Sequence, residues 1–329
     1  MDITKNKSIR MLKAAAEGNY GIPAIVCYNM EQILSAICAA EAKQSPAMVM
    51  LFPHALHQYG PLLVHLAAEA CMQAKVPVAL HLDHEQDEQQ IKYAASLPFD
   101  SIMIDMSHYD LVDNLKKTKE LTEYCHARGI AVEAEAGRIE GGEDGLKDTG
   151  VLGNIRTTPE MALQFMNTGI DFLAPSIGNV HGGHPDGPFQ FEYDRLTSIK
   201  NAVQGQVQLV LHGTTGDLEV KQSVRHGVAK VNLNRHLAIW SRKKLNVSVI
   251  SALVAGGLRA RRVKDGADSF GRKSMARFFE GSQWRGFAGS RWRGLSKEVN
   301  GEASQEVDSE VLMPFFWPKA CGEMKHRLT

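Results

Sequence analysis

The 329-residue chain lacks several features that would assign it to a protein class directly. Its formal net charge is zero, so the composition gives no sign of a nucleic-acid or membrane-surface partner. No apolar run reaches the roughly 18 residues needed to cross a bilayer, and the first residues lack the apolar core of a signal peptide. The five cysteines show no paired spacing, so we expect them to be reduced and the protein to be cytoplasmic.

The neutral total hides an uneven distribution of charge along the chain. Residues 1–240 contain 20 Lys and Arg against 28 Asp and Glu, whereas residues 241–329 contain 17 against 9. The second part holds three of the four tryptophans and sustains neither a helical nor a strand period. We therefore predict one domain over residues 1–241, followed by a basic, largely irregular segment over residues 242–329.

Eight short apolar runs divide the first part of the chain, with helical patterns between them. Most runs are nearly continuous in apolar residues, as expected of parallel strands covered on both faces. One helical pattern spans residues 110–128, and another has Thr158 as its N-cap and Pro159 at its first position. Strand–helix alternation eight times over predicts an α/β fold, a (β/α)8 TIM barrel. The alternative is a doubly wound open sheet, but no G-x-G-x-x-G motif follows the first run. The runs are residues 22–29, 47–52, 78–84, 101–106, 131–137, 171–177, 207–213 and 228–234.

Polar side chains lie at or just past the ends of all these runs except the second. In a parallel barrel the strand ends meet at one mouth, where active sites form. His84, His181 and His212 come from three separate runs, and such a set favours a metal site. A single histidine in this position is more often a hydrogen-bonded core residue, so the prediction depends on the convergence of three. The other polar residues at these ends are Asn29, Asp83, Asp105, Glu135, Asn232 and Asn234.

The residues beside these histidines have more than one explanation. Asp83 adjoins a candidate ligand and is a candidate acid/base group. In a regular strand His81 points with Asp83 and away from His84, so all three face one atom only if the strand end deforms. We therefore expect His81 to be structural or to support the ligands from behind. Asp105 and Glu135 either orient the ligand imidazoles or serve as alternative metal ligands.

Three loops complete the candidate site. The loops after the seventh and eighth runs are where such barrels commonly bind phosphate, although two ordinary turns are the alternative. Small residues in the first loop leave backbone N–H groups and hydroxyls free to hold an oxyanion. Residues 140–145 form an acidic loop, which is either a solvated turn or a mobile segment that carries a base. The phosphate loops contain Gly213, Thr214, Thr215, Asn232, Asn234 and Arg235.

The motifs, taken in order over about residues 8–240, resemble those of the class II, zinc-dependent ketose-bisphosphate aldolases. The resemblance implies one catalytic Zn²⁺ bound by His84, His181 and His212, and it places Asp105 and Glu135 at positions of alternative metal ligands. It implies that Asp83 acts on the C4 hydroxyl proton and that Glu143 moves the proton at C3. The matching segments are residues 81–84, 104–108, 132–135, 142–144, 177–182, 211–213 and 230–232.

The resemblance also implies a substrate and an assembly. The substrate is a phosphorylated ketose, fructose or tagatose 1,6-bisphosphate, which is cleaved to or formed from dihydroxyacetone phosphate and an aldehyde phosphate. Gly182 and the two phosphate loops would hold it, with Asn29 as a further candidate contact and a possible monovalent cation near the phosphate. The family suggests a homo-oligomer.

Departures from the family pattern leave alternatives open. The loop after the seventh run is Gly-Thr-Thr-Gly over residues 213–216, where the family commonly has a Gly-Gly-Ser-Gly type loop. Asn234 and Arg235 stand where Asp and Thr are common, and no match to the family is found after residue 241. One alternative is therefore a catalytically impaired aldolase-like barrel with an aberrant C-terminus. The other is a barrel metallohydrolase, although the His-x-His after the first strand and the bridging Lys of such enzymes are missing.

Overall fold

Eight parallel strands form a closed barrel in which each strand pairs with its neighbours in chain order, and the last pairs with the first. The structure, a computed structural model, describes residues 2–139, 141, 155–181, 191–213 and 217–234. Closure confirms the predicted (β/α)8 TIM barrel and excludes the open sheet. The strands are β1 (Ile22–Val26), β2 (Ala47–Leu51), β3 (Val78–Glu85), β4 (Ser101–Ile104), β5 (Ala131–Ala136), β6 (Phe172–Pro175), β7 (Gln208–Leu211) and β8 (Val228–Leu233).

Helices alternate with the strands along the chain, after a short 3-10 turn at Ile3–Lys5. The predicted helix start at Thr158 is confirmed, since its side chain accepts a hydrogen bond from the Met161 backbone N–H. The helices in the described residues are α1 (Lys7–Gly18), α2 (Met30–Lys43), α3 (Pro53–Tyr59), α4 (Pro61–Gln73), α5 (Glu88–Ala94), α6 (Leu111–His126), α7 (Pro159–Met166), α8 (Tyr193–Val203) and α9 (Asp217–Arg225).

Two regions of apolar packing follow from the continuous apolar runs. The larger lies between the strands and the surrounding helices, and the smaller fills the barrel interior. Small side chains such as Ala79 and Ala229 in the interior leave space for larger ones such as Met48 and Phe172. The interior is therefore packed and does not form a pore.

Helix α1 closes the end of the barrel where the strands begin. Leu12 is fully buried and belongs to the interior cluster. Asn6 donates hydrogen bonds to the carbonyl oxygens of Asp100 and Gly129, 2.7 and 2.9 Å away. With this end covered, the opposite end, where the strands finish, is the end at which a substrate can enter.

The expectation that the cysteines are reduced is confirmed for three residues and is wrong for a fourth. Cys27, Cys71 and Cys125 are buried free thiols, as expected. Cys38 is disulfide-bonded, so the expectation of a reduced thiol is wrong for this residue, because spacing along the chain does not reveal which cysteines meet in space.

Within the described part of the chain, no helix is both long and apolar enough to span a bilayer. The predicted segment over residues 242–329 lies outside the described residues, and its boundary stays a prediction.

Candidate metal centre and active site

The end of β3 departs from a regular strand at His84. This residue has a φ of +48°, in the left-handed region, and the pairing of β3 with β4 shifts register between Leu82 and Glu85. A bulge of this kind re-aims the side chains that follow it. As a result Asp83 and His84, although adjacent, both reach side chains across the barrel: Asp83 contacts Asn232, and His84 contacts a histidine that follows β7. The deformation that the sequence required for these side chains is therefore present.

The structure brings His84, His181 and His212 together at the barrel mouth. The ring centroids of His84 lie 4.8 Å from those of both His181 and His212, and the latter two lie 5.6 Å apart. Nε2 of His84 and Nδ1 of His212 are 2.9 Å apart. All three side chains are buried, and one nitrogen from each lies within 4.8 Å of the others. Three imidazoles converging from three strands can hold one metal ion.

The chemistry of these donors fits zinc. Nε2 of His181 is buried and has no hydrogen-bond partner among the described residues. Burial, with His84 and His212 adding to it, holds the pKa of His181 well below its usual range, so this ring is neutral and can ligate. Burial alone lowers the pKa of His84, but Asp83, Asp105 and Glu135 outweigh it and raise the pKa to about 10. The carboxylates thus favour a cation at this point, and a metal would replace the proton of His84.

Asp105 and Glu135 lie on the far side of His84 and differ in their contacts. Asp105 Oδ2 lies 2.9 Å from Nδ1 of His84, and its Oδ1 accepts a 2.7 Å hydrogen bond from the Ser107 hydroxyl. This arrangement directs Nε2 of His84 towards the other histidines. Glu135 Oε1 accepts from the Ile139 N–H, whereas Oε2 has no partner in the part of the chain described. Burial, together with Asp105, raises the pKa of Glu135 to about 8. His84, Asp105 and Glu135 form a second group able to hold a metal.

Asp83 is buried beside the three histidines without belonging to their group. Its Oδ2 accepts a 3.0 Å hydrogen bond from the Asn232 side chain, and its Oδ1 lies 3.3 Å from Nε2 of His81. Burial acts to raise the pKa of Asp83, but His84 and Lys230 outweigh it and hold the pKa well below the usual range. Asp83 is therefore an ionised carboxylate held at the mouth beside the candidate ligands.

Two charged residues to which the sequence analysis assigned no role lie directly beneath this site. Glu133 on β5 and Lys230 on β8 are both 0% exposed, and the Lys230 ammonium lies 2.7 Å from Glu133 Oε2. Glu133 Oε1 lies 2.8 Å from Nε2 of His212. Burial acts to raise the pKa of Glu133, but Lys230 and His212 lower it to about 2. The signal in the sequence is a charged residue inside an apolar run, two positions from Glu135 and so on the same face of the strand.

The peptide that carries His181 is held by close backbone contacts. Gly141 has a φ of +97°, and a Cβ added there would lie 2.2 Å from the His181 carbonyl oxygen. Gly213 has a φ of +63°, and a Cβ there would lie 2.4 Å from the Val180 carbonyl oxygen. The Asn179 side chain donates a 3.1 Å hydrogen bond to the His212 carbonyl. The backbones of two candidate ligands are thus locked to each other.

The predicted phosphate-binding residues are only partly described. Asn29 is the N-cap of α2, and its Oδ1 accepts from the Gln32 N–H at 3.0 Å. Asn232 lies beside Asp83, and Asn234 accepts a 3.2 Å hydrogen bond from the Tyr28 hydroxyl. Gly213 lies at the mouth directly after His212. The remaining candidates, Glu143, Gly182, Thr214, Thr215 and Arg235, lie outside the described residues.

Comparison with known proteins agrees with this geometry. The family model for class II fructose-bisphosphate aldolases matches residues 6–276, and so extends past the boundary predicted near residue 241. A curated relative from Coccidioides immitis is 50% identical over 244 residues, which cover 71% of this chain and 80% of the relative. The fructose-bisphosphate aldolase of Streptococcus pyogenes serotype M1 is 38% identical over 233 residues, which cover 68% of this chain and 77% of that protein.

Solved structures show the same relationship. A crystal structure from Coccidioides immitis shares 48% identity, covers 76% of this chain and 90% of its own, and superposes with a TM-score of 0.71. The YdjI aldolase from Escherichia coli K12 shares 28% identity, covers 75% of this chain and 89% of its own, and gives a TM-score of 0.63. Sequence, barrel and converging histidines all lead to one assignment. The chain belongs to the class II fructose-bisphosphate aldolase family.

Proposed function

We propose that the protein is a zinc-dependent aldolase that cleaves or forms a ketose 1,6-bisphosphate, with dihydroxyacetone phosphate and an aldehyde phosphate as the other reactants. The observation that carries the proposal is the unpartnered Nε2 of His181 among three converging imidazoles, next to an ionised carboxylate on Asp83. Fructose 1,6-bisphosphate is the favoured substrate because several relatives are named fructose-bisphosphate aldolases. Tagatose 1,6-bisphosphate is the second candidate.

Cleavage of the C3–C4 bond sets the chemical requirements of the site. The bond breaks when the C4 hydroxyl loses its proton, and its electron pair then moves towards the C2 carbonyl. Zinc held by His84, His181 and His212 would polarise that carbonyl and stabilise the developing negative charge. Three neutral imidazoles suit this task, since they leave the charge of the ion uncompensated.

Asp83 is the base for the C4 hydroxyl in this proposal. The Asn232 amide holds one carboxylate oxygen at 3.0 Å, and the other faces His81 at 3.3 Å. The Asn232 contact holds the carboxylate, and the positive charge nearby keeps the group ionised until it accepts the proton. In the direction of synthesis the same residue returns the proton to the aldehyde oxygen. Glu143 would supply or remove the proton at C3, and this role stays a prediction.

The substrate phosphate is proposed to lie against the segments that follow β7 and β8. Gly213 brings the backbone close to the metal-binding histidines, and Asn232 and Asn234 lie at the end of β8. A phosphate there, accompanied by a monovalent cation, would leave the C2 carbonyl and the C4 hydroxyl over the histidines and Asp83. A homo-oligomer is the assembly proposed from the family.

The experiment is a substrate panel assayed with and without added zinc. Fructose and tagatose bisphosphate, the unphosphorylated ketoses and a phosphate ester for hydrolysis would be compared in coupled assays, with zinc measured by elemental analysis. We expect zinc-dependent cleavage of one bisphosphate, and loss of both zinc and activity in His84→Ala, His181→Ala and His212→Ala. His57→Ala, a change on α3, is the matched control and should retain both.

Three results would contradict the proposal in different ways. Full zinc in the His212→Ala protein would show that the ligand set is wrong. Hydrolysis of the ester without carbon–carbon cleavage would favour the metallohydrolase alternative. Zinc binding without turnover of any ketose would favour the catalytically impaired barrel. Neither alternative is favoured by the family match or by the arrangement of the described site residues.

A further inference from the structure

A second polar cluster lies inside the barrel beneath the three histidines, and a lysine occupies its centre. His81, Asp83 and Glu133 are buried and could together hold a metal ion. The Lys230 ammonium, itself 0% exposed, lies 2.7 Å from Glu133 Oε2, 3.2 Å from His81 Nε2 and 4.0 Å from Asp83 Oδ1. The donors that would surround a metal cation therefore surround a cation that belongs to the chain. Repulsion by this buried ammonium excludes a metal from the same place.

The two oxygens of Glu133 connect this lysine to one of the metal-binding histidines. Oε2 accepts from Lys230, and Oε1 lies 2.8 Å from Nε2 of His212. An ionised carboxylate can only accept hydrogen bonds, so Nε2 of His212 must carry the hydrogen. The Asn232 amide nitrogen, which donates to Asp83 Oδ2 at 3.0 Å, also lies 3.1 Å from this ring nitrogen. The contact with Glu133 is shorter and charge-assisted, so the carboxylate is the stronger partner of Nε2.

The hydrogen on Nε2 determines which nitrogen of His212 can bind a metal. A neutral imidazole has one N–H, so with the hydrogen on Nε2 the lone pair is on Nδ1. Nδ1 is the nitrogen that faces the other ligands, 2.9 Å from Nε2 of His84. His84 shows the reverse arrangement, because its Nδ1 faces the Asp105 carboxylate at 2.9 Å and its Nε2 faces the site. Each ring is thus held by a carboxylate on the side away from the other candidate ligands.

We propose that Lys230 is an internal counter-ion that, through Glu133, fixes the His212 tautomer in which Nδ1 is the metal ligand. Without the ammonium, the fully buried carboxylate of Glu133 loses the 2.7 Å hydrogen bond that holds it in place. A Glu133 side chain that rotates away no longer holds the hydrogen on Nε2 of His212. Lys230 is therefore a positioning residue for the proposed zinc site, and the inference rests on that site but not on the identity of the substrate.

The lysine is itself anchored from the closed end of the barrel. His81 accepts from Lys230 at Nε2, and its Nδ1 lies 2.8 Å from the Ser101 hydroxyl. The Ser101 hydroxyl lies 3.1 Å from that of Ser8 on α1. This column of hydrogen bonds holds His81 in the orientation that accepts from the ammonium. The position of Lys230 is thus determined from both sides, as a positioning role requires.

The test uses Lys230→Met, which removes the charge and keeps an unbranched side chain, and Glu133→Gln, which keeps the shape. Zinc affinity would be measured by competition with a chelator, and the His212 tautomer by ¹⁵N NMR of zinc-free, histidine-labelled protein. We expect each variant to lose about 10- to 100-fold in zinc affinity and to gain signal from the Nδ1–H tautomer. In Glu133→Gln the amide oxygen faces Lys230 and the amide N–H₂ faces His212, which inverts the hydrogen bond. The double variant should lose no more affinity than the worse single variant, because both act through one contact.

Lys7→Met is the matched control. Lys7 also pairs with a carboxylate, Asp100 at 3.0 Å, but it lies at the closed end of the barrel, away from His212. Its removal should change neither the zinc affinity nor the tautomer. Wild-type affinity together with an unchanged tautomer in Glu133→Gln would overturn the proposal, even if Lys230→Met fails to fold. If the wild-type protein binds no zinc, the proposed function fails, whereas the tautomer measured in zinc-free protein still decides the role of Lys230.

Discussion

The charge of Glu85 at the end of β3 should destabilise the folded protein in a pH-dependent way. The residue is 3% exposed. Its Oε1 accepts from the backbone N–H groups of Gln86 and Asp87, both at 3.0 Å, while Oε2 has no hydrogen-bond partner among the residues described. Burial outweighs these hydrogen bonds and raises the pKa of Glu85 from its ordinary value of 4.5 to about 7. The folded protein therefore binds this proton more tightly than the unfolded chain does.

The sign of the effect follows from this difference. A carboxyl whose pKa is raised on folding stabilises the folded state below pH 4.5, and that contribution is lost as the pH rises to about 7. A tenfold change in proton affinity corresponds to about 1.4 kcal/mol, so the whole effect is roughly 3 kcal/mol. Glu85→Gln keeps an acceptor for the two N–H groups and cannot ionise. It should match the wild-type protein at low pH and exceed its free energy of unfolding by up to about 3 kcal/mol at pH 8.

Urea unfolding of the zinc-free proteins between pH 5 and pH 8 measures this difference. Glu17→Gln, a substitution at an exposed site on α1, is the control for loss of a carboxylate and should show no such trend. A constant difference between Glu85→Gln and the wild-type protein across this range would refute the reasoning. So would a variant that is less stable than the wild-type protein at pH 8.

Three further predictions concern the base, the ligand backbone and a helix cap. Asp83→Ala should keep its zinc and lose about 10²-fold or more in kcat, the scale of general acid–base catalysis; near-normal turnover would exclude Asp83 as the base. Gly141→Ala should weaken zinc binding in a chelator titration, because the added methyl group would lie 2.2 Å from the His181 carbonyl oxygen; unchanged affinity would show that this contact relaxes freely. Thr158→Ala should lower the free energy of unfolding by about 1 kcal/mol through loss of its hydrogen bond to Met161. Its kcat should not change, and a reduced kcat would connect the start of α7 to the site.

The barrel and the three histidines could be predicted from the sequence because short stretches of the chain indicate each of them. A buried parallel strand is a short apolar run, and a residue at its end lies at the mouth whatever its neighbours are. For the bulge at His84, the sequence could show only that the strand end must deform if neighbouring side chains are to face one point. Whether it deforms depends on the pairing of β3 with β4, which the β3 sequence alone does not determine. Asn29 illustrates a different limit, since a polar residue at a strand end can also cap the next helix.

The roles of Glu133 and Lys230 could not be predicted, because each role depends on a contact with a residue on a distant strand. They are 97 residues apart in sequence, and only closure of the barrel brings the carboxylate and the ammonium together. A lone charge in an apolar run indicates that a partner exists but does not say which residue it is.

The left-handed turn at His84 limits how this site can be moved to another scaffold. A designer who grafts the His-Leu-Asp-His motif of residues 81–84 onto an idealised barrel with regular strands would bury Asp83 and direct His84 outwards. The graft would have to include the displaced pairing at Glu85, and with it the adjoining end of β4 that carries Asp105. The smallest transferable unit is therefore a pair of strands with an irregular junction, and a motif search on sequence alone would not find that unit.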